Sequence, residues 1–289
     1  KGRDYSTLQR GGTSLHKRDL KPWQAAIAYG WIAITLLLVL SPHIGILLMS
    51  FSKVWSFSVL PEGFTLAHYL SVAENSSRMI GNTLLYCGLA ALIDVVLGTA
   101  IAYIILRTKL PGRQLLDWTA SAALAIPGVV LGIGYLRAFK GLELPLFDSM
   151  FTATWVALML AYAVRRLPYA LRSCTAALQQ LHVSLEEAAE SLGATKARTV
   201  RRVVVPLMAG GILAGFVTSF ITAAVELSAT IVLSSSATTA PMSYGIYLYM
   251  QSIAGRGPGA ALGVIAVVIV GLGTYASYRL TNRSETWSR

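Results

Sequence analysis

Charge is scarce in this chain, and acidic charge is scarcest: 13 Asp and Glu stand against 24 Lys and Arg in 289 residues, 13% charged in all, for a net charge of +11. Soluble domains carry about a quarter charged residues, so ordinary solubility and disorder are both excluded. Cysteine is nearly absent. Cys87 and Cys174 lie in or beside apolar runs, are too few for a disulfide framework or a thiolate zinc site, and read as packing residues. The four histidines are scattered, and His43, following Pro42, reads as a span-end residue rather than a ligand, so no metal site is expected. No G-x-x-x-x-G-K-[ST] run occurs, which excludes a phosphate-cradling nucleotide loop. The basic balance would suggest nucleic acid in a soluble protein; in a membrane protein it marks cytoplasmic loops, and no nucleic-acid partner is expected.

What is abundant is apolar sequence, 55% of residues, with a mean hydropathy of +0.60. Six long stretches stand out: Ala25–Phe51, Ile80–Leu106, Leu115–Leu136, Phe151–Val164, Gly211–Leu233 and Gly259–Leu280. A helix needs about 20 apolar residues to cross roughly 30 Å of hydrocarbon. All but the fourth clear that length, and the fourth does so if Arg165 and Arg166 snorkel towards the headgroups. The expected fold is therefore an all-α polytopic membrane protein with six crossings. Of the 24 basic residues, 19 fall before the first span, between the second and third, between the fourth and fifth, and at or beyond the end of the sixth. Retention of positive charge on the cytoplasmic side then places both termini in the cytoplasm. Trp23, Trp55, Trp118 and Trp155 near span ends fit the membrane interface.

The long cytoplasmic loop between the fourth and fifth spans carries helix signals but no crossing run. Ser184-Leu185-Glu186-Glu187 has the form of a capping box, starting a helix at Leu185 with Leu185, Ala188, Ala189 and Leu192 on one face and Gly193 as a left-handed C-terminal cap. A second helix from Thr195 carries Lys196, Arg198, Arg201 and Arg202 and is interrupted by Pro206. Such a hairpin suits a groove on a cytoplasmic partner or, equally on these grounds, a surface of anionic membrane lipid.

Glu187-Ala188-Ala189, three residues, Gly193, nine residues, then Val203-Val204-Val205-Pro206 is similar to the EAA loop of membrane subunits of binding-protein-dependent ABC importers. The family pattern ends in Ile-x-Leu-Pro, so Val203 and Val205 are apolar departures. The resemblance extends over roughly residues 80–280 and implies the type I importer permease fold, with a coupling-helix hairpin at residues 169–210. It makes Glu187, Ala188, Ala189, Gly193 and Pro206 the ATPase-coupling residues. It further implies a cytoplasmic ATP-binding subunit dimer that holds ATP and Mg, a second permease half, and a periplasmic solute-binding protein. This chain itself then carries no cofactor and no catalytic residue. In that frame residues 25–280 form the permease domain and residues 281–289 a cytoplasmic tail. Residues 1–24, polar and glycine-containing, read as a linker, an excised extension, or the junction to the first half of a double-length permease.

Within the spans, Asp94 and Glu226 are the two clear candidates for buried acids, at a cost of about 2.5–3.5 kcal/mol each near a bilayer centre. Glu226-Leu227-Ser228-Ala229-Thr230 looks like a run found in the ferric-iron, sulfate, molybdate and phosphonate branches of the family. Glu226, Ser228 and Thr230 are accordingly candidates for the translocation pathway or a gate, or else hold the bundle by hydrogen bonds. Asp94, with no basic residue near it on its own helix, reads as structural. Pro127-Gly128 is expected to kink the third span, and Gly128-x-x-x-Gly132, Gly211-x-x-x-Gly215 and Gly259-x-x-x-Gly263 to give close helix contacts. The resemblance favours ferric iron or a small anion, such as a phosphonate or a sugar phosphate, as substrate. An ion-coupled secondary transporter would use the two acids but leaves the loop spacing unexplained, and a membrane-embedded serine hydrolase lacks its G-x-S-G turn.

Overall fold

The computed structural model describes residues 20–55, 58, 60–144, 149–234 and 236–286. Residues 1–19 of the N-terminal segment and 287–289 of the tail lie outside them. Residues 1–45 and 46–289 are separate compact units. The described part of the first is most of α1 (Pro22–Phe51), in which Leu36, Leu37 and Leu38 are among the apolar side chains more than half exposed. Only hydrocarbon or another protein surface can cover so apolar a helix.

The second unit is almost entirely helical: α2 (Ala67–Asn75), α3 (Ser77–Arg107), α4 (Arg113–Ala122), α5 (Gly128–Ala138), α6 (Trp155–Gln180), α7 (Ser184–Ser191), α8 (Lys196–Thr199), α9 (Val205–Leu207), α10 (Ala209–Ala224), α11 (Ser228–Leu233), α12 (Met242–Met250) and α13 (Arg256–Thr286). A π-helical turn, Val200–Val204, joins α8 to α9. Two antiparallel two-residue strands, β1 (Glu143–Leu144) and β2 (Ser149–Met150), are the strands among the described residues. Among the described residues, Pro22–Phe51, Ser77–Arg107 and Arg256–Ala276 are each long and apolar enough to cross a membrane, whereas Lys196–Leu207 and Ala209–Ala224 reach that measure only taken together and are bent by 69°.

The core is a three-helix contact of α3, α6 and α10 built on small residues. Lipid tails are as apolar as leucine, so helices in a membrane gain most where backbones approach closely. A Cβ at Gly98 of α3 would stand 3.0 Å from the Leu171 amide nitrogen of α6, and one at Gly215 of α10 3.2 Å from the Ala170 Cα. Ala90, Ala91, Ala102, Ala161 and Ala170 are fully buried around these contacts. Of the three expected glycine pairs, two make close contacts, with Gly211 meeting Ala177 and Gly132 meeting Val232; in the third, Gly259 meets Tyr249 but Gly263 has only Ile46 at 3.7 Å. Cys87 and Cys174 are free and buried, as packing residues should be.

Three apolar stretches depart from the sequence-based expectation. The third is two helices, α4 and α5, separated at residues 123–127 rather than kinked, because Pro127 takes an extended ψ of 139° and α5 starts anew at Gly128. The fifth is broken at Val225-Glu226-Leu227 into α10 and α11. The fourth does not end at Val164. α6 runs 26 residues through Pro168 to Gln180, so Arg165 and Arg166 are its eleventh and twelfth residues and not headgroup anchors at its end.

Candidate functional site

Two features stand out, an external hairpin at one end of α3 and α6 and a buried charge cluster within the helices. In the hairpin the capping box does not form. Val183 already has right-handed helical angles (φ −60°, ψ −29°), so α7 starts at Ser184 and that serine lies inside the first turn. The Glu187 amide donates to the Val183 carbonyl (3.1 Å), and the Ser184 amide donates to His182 Nδ1 (3.3 Å). His182 thus takes over the capping role.

The other end of α7 agrees with the sequence. Gly193 has φ +86°, its amide donates to the Glu190 carbonyl (2.9 Å), and the Ala194 amide donates to the Ala189 carbonyl (3.1 Å). These are the two hydrogen bonds of a Schellman cap, which needs the left-handed angles that glycine adopts without strain. Thr195 caps α8, accepting from the Arg198 amide at 3.4 Å. The chain then widens into the π turn, where the Val205 amide donates to the Val200 carbonyl, and Pro206 follows inside α9. Pro206 does not interrupt the helix. The π turn absorbs the missing donor, and the 69° bend falls at Met208, between α9 and α10.

The face that the hairpin presents is apolar and uncovered. Leu185 is 45% and Leu192 90% exposed, Ala188 is exposed and Ala189 half-buried, while Glu187 is exposed beside them. The neighbouring acid does the anchoring. Glu186 is buried, with Oε1 2.6 Å from Arg107 Nε. The Arg107 Nη2 also donates to the carbonyls of Leu181 (2.8 Å) and Leu178 (3.2 Å). One guanidinium thus ties the last turn of α3, two carbonyls at the C-terminal end of α6 and the first turn of α7. Sequence reasoning passed over both residues. The available signals were a basic residue closing an apolar run and a second acid next to Glu187.

The buried cluster joins the two helix breaks. Glu226, 4% exposed in the α10–α11 break, pairs with Arg166 Nη2 and lies 3.4 Å from Arg165 Nε. Its Oε1 accepts from the Ala229 amide (3.3 Å) at the start of α11. The arginines expected to snorkel outwards are turned inwards, because α6 continues past them and carries them to the level of the only carboxylate that faces them from α10–α11. The break in α4–α5 meets the same point. A Cβ at Gly128 would overlap Arg165 Nη1 and the Ser228 Cβ and stand 3.0 Å from Glu226 Oε1, so the glycine leaves room for the guanidinium beside the carboxylate. Asp94 on α3 is fully buried, its oxygens have no hydrogen bond, and its electrostatic neighbours are Ser219 and Arg166. The basic neighbour missing from its own helix comes from α6. Thr230 donates to the Glu226 main-chain carbonyl (2.6 Å) and lies 2.6 Å from the Tyr162 hydroxyl; Ser228 is exposed. The Thr230 hydroxyl therefore holds backbone, and the Glu226 carboxylate is held by the two arginines and the Ala229 amide.

An all-helical membrane bundle with an external, glycine-capped hairpin has the type I importer permease fold. The chain superposes on a bacterial ABC transporter structure involved in the import of the acidic polysaccharide alginate with a TM-score of 0.68, at 21% identity, over 89% of this chain and 95% of that one. It belongs to the family described as binding-protein-dependent transport system inner membrane component, whose model matches residues 94–286. Among curated relatives it is 33% identical to the ferric transport system permease protein FbpB of Actinobacillus pleuropneumoniae, over 56% of this chain and 23% of that protein. It is also 33% identical to the sulfate transport system permease protein CysT of Salmonella typhimurium, over 57% of this chain and 62% of that one. The chain thus spans about a quarter of the ferric relative's length. Family membership favours a permease over an ion-coupled secondary transporter.

Proposed function

We propose that this chain is one half of the membrane pathway of an ATP-driven importer. Six crossings are supplied by α1, α3, the α4–α5 pair, α6, the α10–α11 pair and α13, with both termini cytoplasmic. The α7–α8 hairpin docks into a cleft of a cytoplasmic ATPase dimer, which holds ATP and Mg. A periplasmic solute-binding protein delivers ferric iron or a small oxyanion to the other side. The second half is a paralogous subunit, a copy of this chain, or another portion of a longer polypeptide.

The observation that carries this reading is the hairpin: an exposed apolar face, fixed at one end by the Gly193 cap and at the other by Arg107–Glu186. Because Arg107 grips α3, α6 and α7 together, closure of the ATPase pair displaces the hairpin and both long helices as one body. Those helices carry Asp94, Arg165 and Arg166, so movement reaches the Glu226 cluster, which we assign as the gate between the two helix breaks.

The test is uptake into vesicles holding the chain with its ATPase, second half and binding protein. Gly193→Val is expected to leave the complex assembled and to lower ATP-driven uptake about tenfold or more, since a β-branched residue at positive φ costs about 1–3 kcal/mol. Space is not the obstacle, as nothing lies within 4 Å of a Cβ there. Parental uptake by an assembled Gly193→Val complex overturns the coupling role.

A further inference from the structure

A second, unrelated site lies at the far end of α3. From Ser77 to Arg107 that helix rises about 46 Å at 1.5 Å per residue. At the Ser77 end, Ser76 is hydrogen-bonded to Tyr249 of α12 (2.8 Å), and α2 and the first turn of α13 pack nearby. Between them is a cavity of about 210 Å³ lined by Ser52, Lys53, Trp55, His68, Arg256 and Gly257, among others. No carboxylate lines it, and neither Lys53 nor Arg256 is in an ion pair among the described residues.

The walls are fixed by specific bonds. Ser52 and Phe64 form an antiparallel bridge, the Lys53 amide donates to the Gly63 carbonyl (2.9 Å), and the Glu62 amide donates to the Val54 carbonyl (3.2 Å), which pins the segment carrying Lys53. His68 Nε2 is 2.9 Å from the Ser52 carbonyl, an acceptor only, so that nitrogen donates and the ring is held. A Cβ at residue 257 would overlap the His68 ring, and glycine there lets the ring close the wall. Trp55 Nε1 donates to the Ser58 carbonyl (3.0 Å), fixing the indole. Three chain segments thus converge so that a lysine and an arginine, neither in an ion pair among the described residues, line a space large enough for several water molecules at about 30 Å³ each.

We propose that this cavity binds a tetrahedral oxyanion. A guanidinium fork and a point-charge ammonium are complementary to phosphate-like or sulfate-like oxygens. The same chemistry is offered by a free inorganic oxyanion and by a lipid headgroup phosphate, since Trp55 marks interfacial depth. That the cavity faces the periplasm rests on the orientation proposed above; its binding chemistry does not.

The test is isothermal titration calorimetry of the full chain in a maltoside detergent, with inorganic sulfate titrated against sodium chloride of equal ionic strength. Binding is expected in the parent and about tenfold weaker in Lys53→Ala and in Arg256→Ala. Both side chains are exposed, so folding should survive, and thermal inactivation checks it. A parallel arm titrates phosphatidylglycerol. Sulfate binding that this lipid does not displace identifies a free oxyanion site, while Lys53-dependent lipid binding that displaces sulfate identifies a headgroup site. Absence of both, or equal binding by parent and variants, overturns the proposal. Failure here leaves the Gly193→Val uptake result untouched, and failure of that result leaves sulfate binding untouched.

Discussion

Glu226→Gln is expected to lower both the thermal stability of the chain and its uptake, because it removes the negative charge between two inward-turned arginines. Arg165 and Arg166 are 16% and 11% exposed, and Arg165 Nε, Arg165 Nη1 and Arg166 Nε already lack hydrogen-bond acceptors. Glutamine preserves shape and one acceptor but leaves two cations facing each other in a poorly solvated site. Breaking a buried pair from one side costs about 3–5 kcal/mol, and at about 2–4 °C per kcal/mol for a domain of this size the midpoint of thermal inactivation should fall by about 10 °C. The double variant Arg166→Gln with Glu226→Gln removes one charge of each sign and is expected to recover much of that loss. Uptake should stay low in the double variant, since the gate has lost its ionic contact. Parental thermal stability in Glu226→Gln alone would show that the ion pairs are idle and that Glu226 merely caps α11 through the Ala229 amide.

Arg107→Ala should separate ATP hydrolysis from transport. Arg107 and Glu186 are 11% and 12% exposed, and the guanidinium also satisfies the Leu178 and Leu181 carbonyls. Alanine leaves a carboxylate without its cation and removes the guanidinium donor from the Leu181 and Leu178 carbonyls. The bonds lost are those that join α7 to α3 and α6, so the main consequence is a loosened hairpin. ATP hydrolysis by the assembled complex is expected to continue while uptake per ATP falls about tenfold or more. Limited proteolysis should show new cleavage at residues 182–195. Arg107→Lys keeps the charge but lacks the fork that reaches the carboxylate and two carbonyls together, so its effect should be intermediate. An unchanged ratio of uptake to hydrolysis in Arg107→Ala contradicts the anchoring role.

The parts of this architecture legible in the sequence are those set by one residue's own chemistry. Gly193 was readable as a left-handed cap because only its type tolerates that angle freely, and Cys87 and Cys174 were readable as packing residues from their apolar neighbours. The capping box failed because its pattern does not record that His182 competes for the Ser184 amide and that Val183 is already helical. The break at residues 225–227 escaped notice, and the one at residues 123–127 was legible only as a kink at Pro127-Gly128, because a hydropathy window sees one apolar stretch where the backbone makes two helices. The inward turn of Arg165 and Arg166 was hidden for a deeper reason. Their acid comes from a helix break sixty residues away, and a basic pair next to an apolar run looks the same whether α6 stops there or continues 14 residues further.

The most direct measurement of the central claim is a cross-link from the hairpin. Leu192 is 90% exposed, and both native cysteines are fully buried, so Leu192→Cys supplies the one readily accessible thiol among the described residues. In membranes containing the assembled complex, a short bifunctional thiol reagent is predicted to join this position to the ATPase subunit, with a yield that changes between the nucleotide-free and ATP-bound states. A thiol at residue 192 that forms no such product, and that remains equally open to a water-soluble maleimide with and without the ATPase, would contradict the account.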